Sequence, residues 1–138
     1  MALELINPEK LPTPDSYTQV VVATGSRLVF VAGQVADDPD GHLIGAGDLA
    51  AQARVAFANV GRCLAAAGAR PDQVARITIY VVGHRPEYLP LISAARIAVF
   101  GDHKPADTLL GVQTLAEPGY LIEVEATAVV AATSGKLS

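Results

Sequence analysis

Three predicted strands are apolar on both faces, and this pattern constrains the fold more than any other feature of the sequence. They include the segments Val20–Val22, Leu28–Ala32 and Val74–Val82. A strand that is apolar on both faces is usually buried on both. The chain has only two helix-forming segments, and two helices can cover only one face of a sheet of five or six strands. We therefore expect another copy of the chain to close the other face, so the sequence predicts a homo-oligomer.

The sequence pattern predicts eight elements in the order β-β-β-α-β-α-β-β. The first helix should lie between an N-cap at Asp48 and a terminal Gly68, because apolar residues recur there at spacings of three and four. The second helix is predicted over Pro86–Phe100. Gly25–Ser26 suits a hairpin turn between the second and third strands. The predicted strands are Leu3–Ile6, Tyr17–Ala23, Arg27–Val35, Val74–Val82, Thr108–Leu115 and Leu121–Ala131.

Length and charge narrow the class of protein. The 138 residues correspond to one domain, which we place over residues 1–138. A net charge of −4 and the absence of any Lys or Arg run argue against nucleic-acid binding. No apolar stretch approaches the roughly 20 residues that span a bilayer, and no signal peptide is visible. The single Cys63 excludes an intrachain disulfide framework. We therefore predict a cytoplasmic protein without membrane contacts.

No motif in the sequence predicts a metal ion or a cofactor. The three histidines are far apart and lack the spacing of metal ligands. The acidic loop Asp37–Gly41 departs from the calcium-binding pattern at the first and last positions of that motif. The glycines before the first helix do not form a nucleotide-binding motif. The sequence therefore predicts a site built from protein groups alone.

Two glutamates in the last predicted strand are candidates for chemistry. Glu123 and Glu125 are two residues apart, so they share one face of that strand. Two interpretations stay open for this pair. The carboxylates are solvated or form ion pairs at an interface, or one of them positions or deprotonates a water molecule.

Motifs along nearly the whole chain follow the order of one protein family. Tyr17–Val20 and Leu28–Gln34 are similar to its opening, and Asp48–Arg54 with Phe57–Val60 is similar to its first helix. Lys104–Ala106 and Leu121–Ala126 resemble its closing signature. This family is RidA/YjgF. The resemblance implies a chorismate-mutase-like α+β fold, with a mixed five- to six-stranded sheet and two helices on one face. It also implies a homotrimer with a central β-barrel and three ligand clefts between subunits.

The resemblance further implies a chemistry and its residues. The best-known branch of the family hydrolyses reactive enamines and imines such as 2-aminoacrylate, and it needs no cofactor. Glu123 stands at the place of the glutamate that holds the attacking water. Tyr17 matches the tyrosine that closes the cleft, and Gly33 is also retained. Ser93 stands in the second helix at the place of an asparagine.

The family's substrate-binding arginine has no counterpart at its own position, where this chain has Asp107. At about 4 Å and an effective dielectric of about 20, two unit charges interact by about 4 kcal/mol. Reversing the sign would weaken the binding of an anionic substrate by several orders of magnitude. We therefore predict a poor 2-aminoacrylate deaminase. Asp107 is then a catalytic residue beside the water-holding Glu123, and it either orients the substrate or transfers a proton. Other basic side chains could restore a cation: Lys104, His103, or Arg27, Arg85 or Arg96 from a neighbouring subunit.

Three functional hypotheses follow from the sequence. The first is a divergent hydrolase that acts on an enamine, an imine or a related C–N substrate other than 2-aminoacrylate. The second is a non-catalytic trimer that binds a small metabolite or has a regulatory role. The third is an endoribonuclease, against which the acidic charge argues. In the first, the predicted substrate-binding residues are Tyr17, Gly33, Ser93, Lys104 and Thr108.

Overall fold

The structure is a computed structural model, and it describes residues 3–131. Its strands are β1 (Leu3–Ile6), β2 (Val20–Ala23), β3 (Arg27–Gln34), β4 (Val74–Val82), β5 (Ala106–Val112) and β6 (Ile122–Val130), and its helices are α1 (Leu49–Ala66) and α2 (Leu89–Phe100). The predicted order of elements is therefore confirmed. Within residues 3–131, neither helix is both long enough and apolar enough to span a bilayer.

The six strands form two sheets, which corrects the prediction of one five- to six-stranded sheet. β1 and β2 pair with each other, and the other four lie in the order β3-β6-β4-β5. β4 and β5 are parallel, and the other pairs are antiparallel. The predicted hairpin at Gly25–Ser26 is wrong, because β3 pairs with β6 instead of β2. At Gly25 the chain passes so close to the end of β6 that an added Cβ would lie 2.7 Å from Val129 Cγ1.

The ends of both helices follow the local chemistry of the sequence. The Asp48 carboxylate accepts a hydrogen bond from the Ala51 amide at 3.1 Å, so this residue caps α1 as predicted. Gly68 follows the helix with φ +72°, a backbone conformation that glycine adopts without strain. Pro90 lies in the first turn of α2, where its missing N–H breaks no helical hydrogen bond.

The two helices cover one face of the four-stranded sheet, which we call the inner face. The rings of Phe57 in α1 and Phe100 in α2 meet edge to face, with centroids 6.2 Å apart. Burying apolar side chains of this size stabilises a fold by roughly 1.5–3 kcal/mol each. The core of the described residues includes Val60, Leu64, Ile77, Ile79, Val81, Ile92, Ile122 and Val124.

The opposite face of the four-stranded sheet, which we call the outer face, does not pack against α1 or α2. Leu28 and Phe30 in β3 lie on it with 60% and 74% of their surface exposed, and Leu110 in β5 adds a third apolar side chain. Exposed apolar patches on sheets mark interaction surfaces. The outer face is therefore where we expect the second copy of the chain that the sequence predicts.

We expect Phe30→Glu to disrupt this self-association. The substitution would place a carboxylate in an apolar interface, where an unpaired charge is strongly unfavourable. Light scattering at micromolar concentration should give a multiple of the monomer mass for the wild type and a smaller mass for Phe30→Glu. Ile97→Glu is the matched control, because Ile97 is 52% exposed on α2, away from the outer face. A monomeric wild type would contradict the expectation.

Candidate functional site

A pocket of about 390 Å³ lies between α2, the inner face of β4 and β5, and the segment that precedes β2. Ile79, Leu89, Ile92 and Leu109 give it apolar walls. Mostly apolar walls with a few convergent polar groups are typical of small-molecule sites. The polar side chains that line it belong to Ser16, Tyr17, Ser93, Arg96 and Asp107.

The segment before β2 brings Tyr17 to the pocket. The Thr18 amide donates to the Pro105 carbonyl at 3.2 Å, and the Thr18 hydroxyl donates to the Lys104 carbonyl. These bonds fasten the segment to the loop that leads into β5. Lys104 thus contributes a backbone carbonyl, and its side chain is not among the pocket-lining groups.

Asp107 is the acidic group of the pocket. It is the second residue of β5 and pairs with Ile77 of β4, a residue of the core, so its side chain lies on the inner face. Burial raises the pKa of this carboxyl to about 6, although the nearby charges of Arg96 and Arg76 oppose the shift. Within residues 3–131, the buried Oδ1 atom has no hydrogen-bond partner.

Arg96 is the basic group of the pocket, and it is 4% exposed. Its Nη2 donates to the Ser93 hydroxyl at 3.4 Å, and burial lowers the pKa of the guanidinium. The sequence predicts a role for this arginine only as a contribution from a neighbouring subunit, whereas here it lines the pocket of its own chain. A signal was present, because Arg96 lies four residues from both Ile92 and Phe100 and so shares the buried stripe of α2.

Glu123 and Gly33 lie on the other side of the sheet. Glu123 pairs with Tyr80 across β6 and β4, and both side chains point to the outer face. An added Cβ at Gly33 would overlap the Glu123 carboxylate, so the missing side chain of Gly33 lets that carboxylate lie against β3. Thr108 is also on the outer face, where its hydroxyl accepts a hydrogen bond from Arg76 at 3.1 Å.

The sheet therefore divides the predicted site residues into two groups. The structure brings Tyr17, Ser93 and Asp107 together in the pocket. It places Gly33, Glu123 and Thr108 on the outer face, so the two predicted catalytic carboxylates are separated within one chain.

A cluster of Asp38, Asp40 and His42 is the candidate for metal binding within residues 3–131. Its ligand atoms all lie within 4.8 Å of one another. The Asp38 carboxylate accepts hydrogen bonds from the amides of Asp40 and His42, both at 2.9 Å, and the bond from His42 contributes most to lowering the pKa of Asp38. These bonds are those of an ordinary turn, and they account for the cluster without an ion.

Comparison with known proteins places this fold in a family. The family model described as Endoribonuclease L-PSP matches residues 8–130, and the chain belongs to that family. A RutC family protein of Pyrococcus abyssi is 33% identical over 129 residues, which cover 93% of this chain and 98% of the relative. These matches confirm the resemblance to the RidA/YjgF family.

Solved structures give the same result. The Rid family protein YyfB of Yersinia pestis, a protein of unknown function, superposes with a TM-score of 0.88 at 40% identity, covering 94% of this chain and 100% of that one. The structure of E. coli TdcF with bound serine gives a TM-score of 0.66 at 26% identity, covering 93% and 99%.

We expect Asp107→Asn to stabilise the protein in a pH-dependent way. The folded pKa of about 6 lies above the value of 3.8 for an exposed carboxyl, so the folded state binds the proton more tightly. Ionisation of Asp107 therefore lowers the free energy of unfolding as the pH rises from about 4 to about 6. The variant should unfold at about pH 7.5 with a free energy about 1–3 kcal/mol higher than wild type, and the gap should shrink at about pH 4.5.

Urea denaturation at a fixed protein concentration measures this difference. Asp102→Asn is the matched control, because Asp102 is exposed and its loss should change stability by less than about 0.5 kcal/mol. A gap that is equal at both pH values, or a destabilised Asp107→Asn at about pH 7.5, would contradict the account of this carboxyl.

Proposed function

We propose that this protein hydrolyses an enamine, an imine or a related C–N substrate other than 2-aminoacrylate, in a cleft to which two copies of the chain contribute. The observation that carries the proposal is Asp107, a partly buried residue whose carboxyl has a pKa of about 6 and which lines a pocket of about 390 Å³. A carboxyl group that titrates near neutral pH can both accept and donate a proton at working pH. Membership of the RidA/YjgF family supports the proposal.

The reaction needs one water molecule and three proton transfers. Water adds to the carbon of the C=N bond of a protonated imine and loses a proton to a carboxylate. The nitrogen then takes up a proton from a carboxylic acid, the C–N bond breaks and ammonia leaves. The hydroxyl group gives its proton to the carboxylate that protonated the nitrogen, so that a carbonyl group remains. The carbon keeps its oxidation state between the imine and the carbonyl product, so the reaction needs no oxidant or reductant. Glu123 holds the water and accepts its proton, and Asp107 supplies the proton to the leaving nitrogen.

A second copy of the chain has to complete this site. Asp107 is on the inner face and Glu123 is on the outer face, so one chain cannot bring both to the same substrate. The exposed apolar side chains on the same face as Glu123 favour contact between the outer face and another copy. A homotrimer with clefts between subunits would meet both requirements. The serine bound by E. coli TdcF supports a ligand of amino-acid size.

The other predicted residues have supporting roles in this proposal. Tyr17 closes the pocket over the substrate, and the Ser93 hydroxyl offers it a hydrogen bond. Gly33 leaves the space that the Glu123 carboxylate occupies. Lys104 acts through its carbonyl, which helps to hold Tyr17 in place. Thr108 supports the outer face through its bond with Arg76.

We expect two inactive variants to restore each other's activity when they assemble together. Glu123→Gln and Asp107→Asn should each lose most of the ammonia release from small imines that are neutral overall. In a mixed oligomer, half of the chains would supply an intact Glu123 and half an intact Asp107. Random mixing should therefore make roughly a quarter of the sites complete.

The measurement is ammonia release after co-expression of the two variants, with each variant alone as a control. Recovery to about a quarter of wild-type activity supports a site shared between two copies. Activity no higher than that of the single variants would contradict the shared site. Wild-type activity equal to that of the variants would contradict hydrolysis itself.

Two other functions are distinguishable in the same experiments. Thermal stabilisation by a metabolite without any turnover would favour a non-catalytic binding protein. The family description mentions an endoribonuclease, but RNA binding depends mainly on phosphate contacts from basic residues, and this chain carries a net charge of −4.

A further inference from the structure

Arg96 carries a buried hydrogen-bond donor that is not used. Within residues 3–131, its Nη1 atom is buried and has no partner, while Nη2 reaches only the Ser93 hydroxyl at the long distance of 3.4 Å. A buried charged group without partners is strongly unfavourable. Arg96 lines the pocket, so a ligand held there is a candidate for the missing acceptor.

Asp107, in the same pocket, has an acceptor atom without a hydrogen-bond donor: its buried Oδ1 has no donor in the described part of the chain. Arg96 and Asp107 interact by charge, but they are not among the ion pairs of the described residues. The pocket therefore contains one unused donor on a cation and one unused acceptor on an anion, with apolar walls beside them.

We propose that Arg96 and Asp107 together select a small ligand that is neutral overall and that presents a hydrogen-bond acceptor close to an N–H donor. The acceptor binds the Arg96 guanidinium, and the N–H group binds the Asp107 carboxylate. Both a zwitterion, with a carboxylate and an ammonium group, and an uncharged amide carry this pair. The inference names the substrate class of the site proposed above, and it rests on that pocket being the ligand site.

Ligands with a single charge fit this pair poorly. An anion that reaches Arg96 also approaches the Asp107 carboxylate, and a cation that reaches Asp107 also approaches Arg96. A like charge at about 5 Å in an effective dielectric of about 20 corresponds to a loss of affinity of about a hundredfold. Screening by water in an open pocket reduces the effect, so at least a tenfold discrimination is expected.

The test compares four molecules of nearly equal size: L-alanine, propionamide, propionate and propylammonium. Their dissociation constants can be measured by ligand-observed NMR at about pH 7.5, where the Asp107 carboxyl is ionised. L-alanine or propionamide should bind the wild type at least tenfold more tightly than propionate and propylammonium. Comparing the dissociation constants of L-alanine and propionamide shows whether the site prefers a zwitterion or an amide.

Asp107→Asn and Arg96→Gln each remove one charge, and each should make the pocket prefer a singly charged ligand, of opposite sign in the two variants. Asp107→Asn leaves Arg96 as the only charge, so propionate should become the preferred ligand. Arg96→Gln leaves Asp107, so propylammonium should become preferred. Arg96→Lys keeps the charge and should keep the wild-type order with weaker binding. Arg70→Gln removes an exposed arginine outside the pocket and is the control that should change nothing.

Two results would overturn the inference. One is that none of the four molecules binds the wild type, as when a neighbouring chain fills the pocket. The other is that folded Asp107→Asn and Arg96→Gln bind the four molecules in the same order of affinity as the wild type. Circular dichroism of both variants establishes that they are folded. None of the four molecules is an imine, so the order is measured without turnover. The expected order in a protein that releases no ammonia would contradict the proposed hydrolysis and leave this inference standing.

Discussion

The four-stranded sheet is covered by helices on one side only, and the rest of the molecule depends on this asymmetry. The strand register assigns each side chain to one side, so Asp107 lies against α2 while Glu123 faces outward. The outer face also exposes the apolar side chain of Phe30. Glu123, the candidate for holding the water, therefore lies on the face that we expect to contact another copy of the chain. Assembly and chemistry are therefore linked through the same surface in this account.

The pocket on the inner face has a balanced charge. Asp107 alone would make it acidic, but the buried guanidinium of Arg96 stands in the same cavity. Burial disfavours the charged form of each group, which raises the pKa of the carboxyl and lowers that of the guanidinium. The anion of the pocket is thus in β5 and the cation is on α2, and we propose that these two residues together set the ligand preference.

Local features of the fold were predictable from the sequence, and features that depend on distant contacts were not. Asp48 and Gly68 mark the ends of α1 because capping depends on neighbouring backbone groups. The prediction of a hairpin at Gly25–Ser26 was wrong because tertiary packing, and not the local turn, determines which strands pair. Motifs in the sequence pointed to Tyr17 and Asp107. Arg96 was expected to act from a neighbouring subunit, because helical periodicity shows only that a residue lies on the buried side of its helix and not which pocket it lines.

A crystal structure of the assembled protein tests the central claim most directly, namely that the cleft joins the inner face of one copy to the outer face of another. The account predicts that the Glu123 carboxylate of one copy faces the Asp107 pocket of the next, close enough for one water molecule or a small ligand to lie between them. An assembly in which every Asp107 pocket opens only to solvent, with the Glu123 carboxylates far from it, would contradict the account.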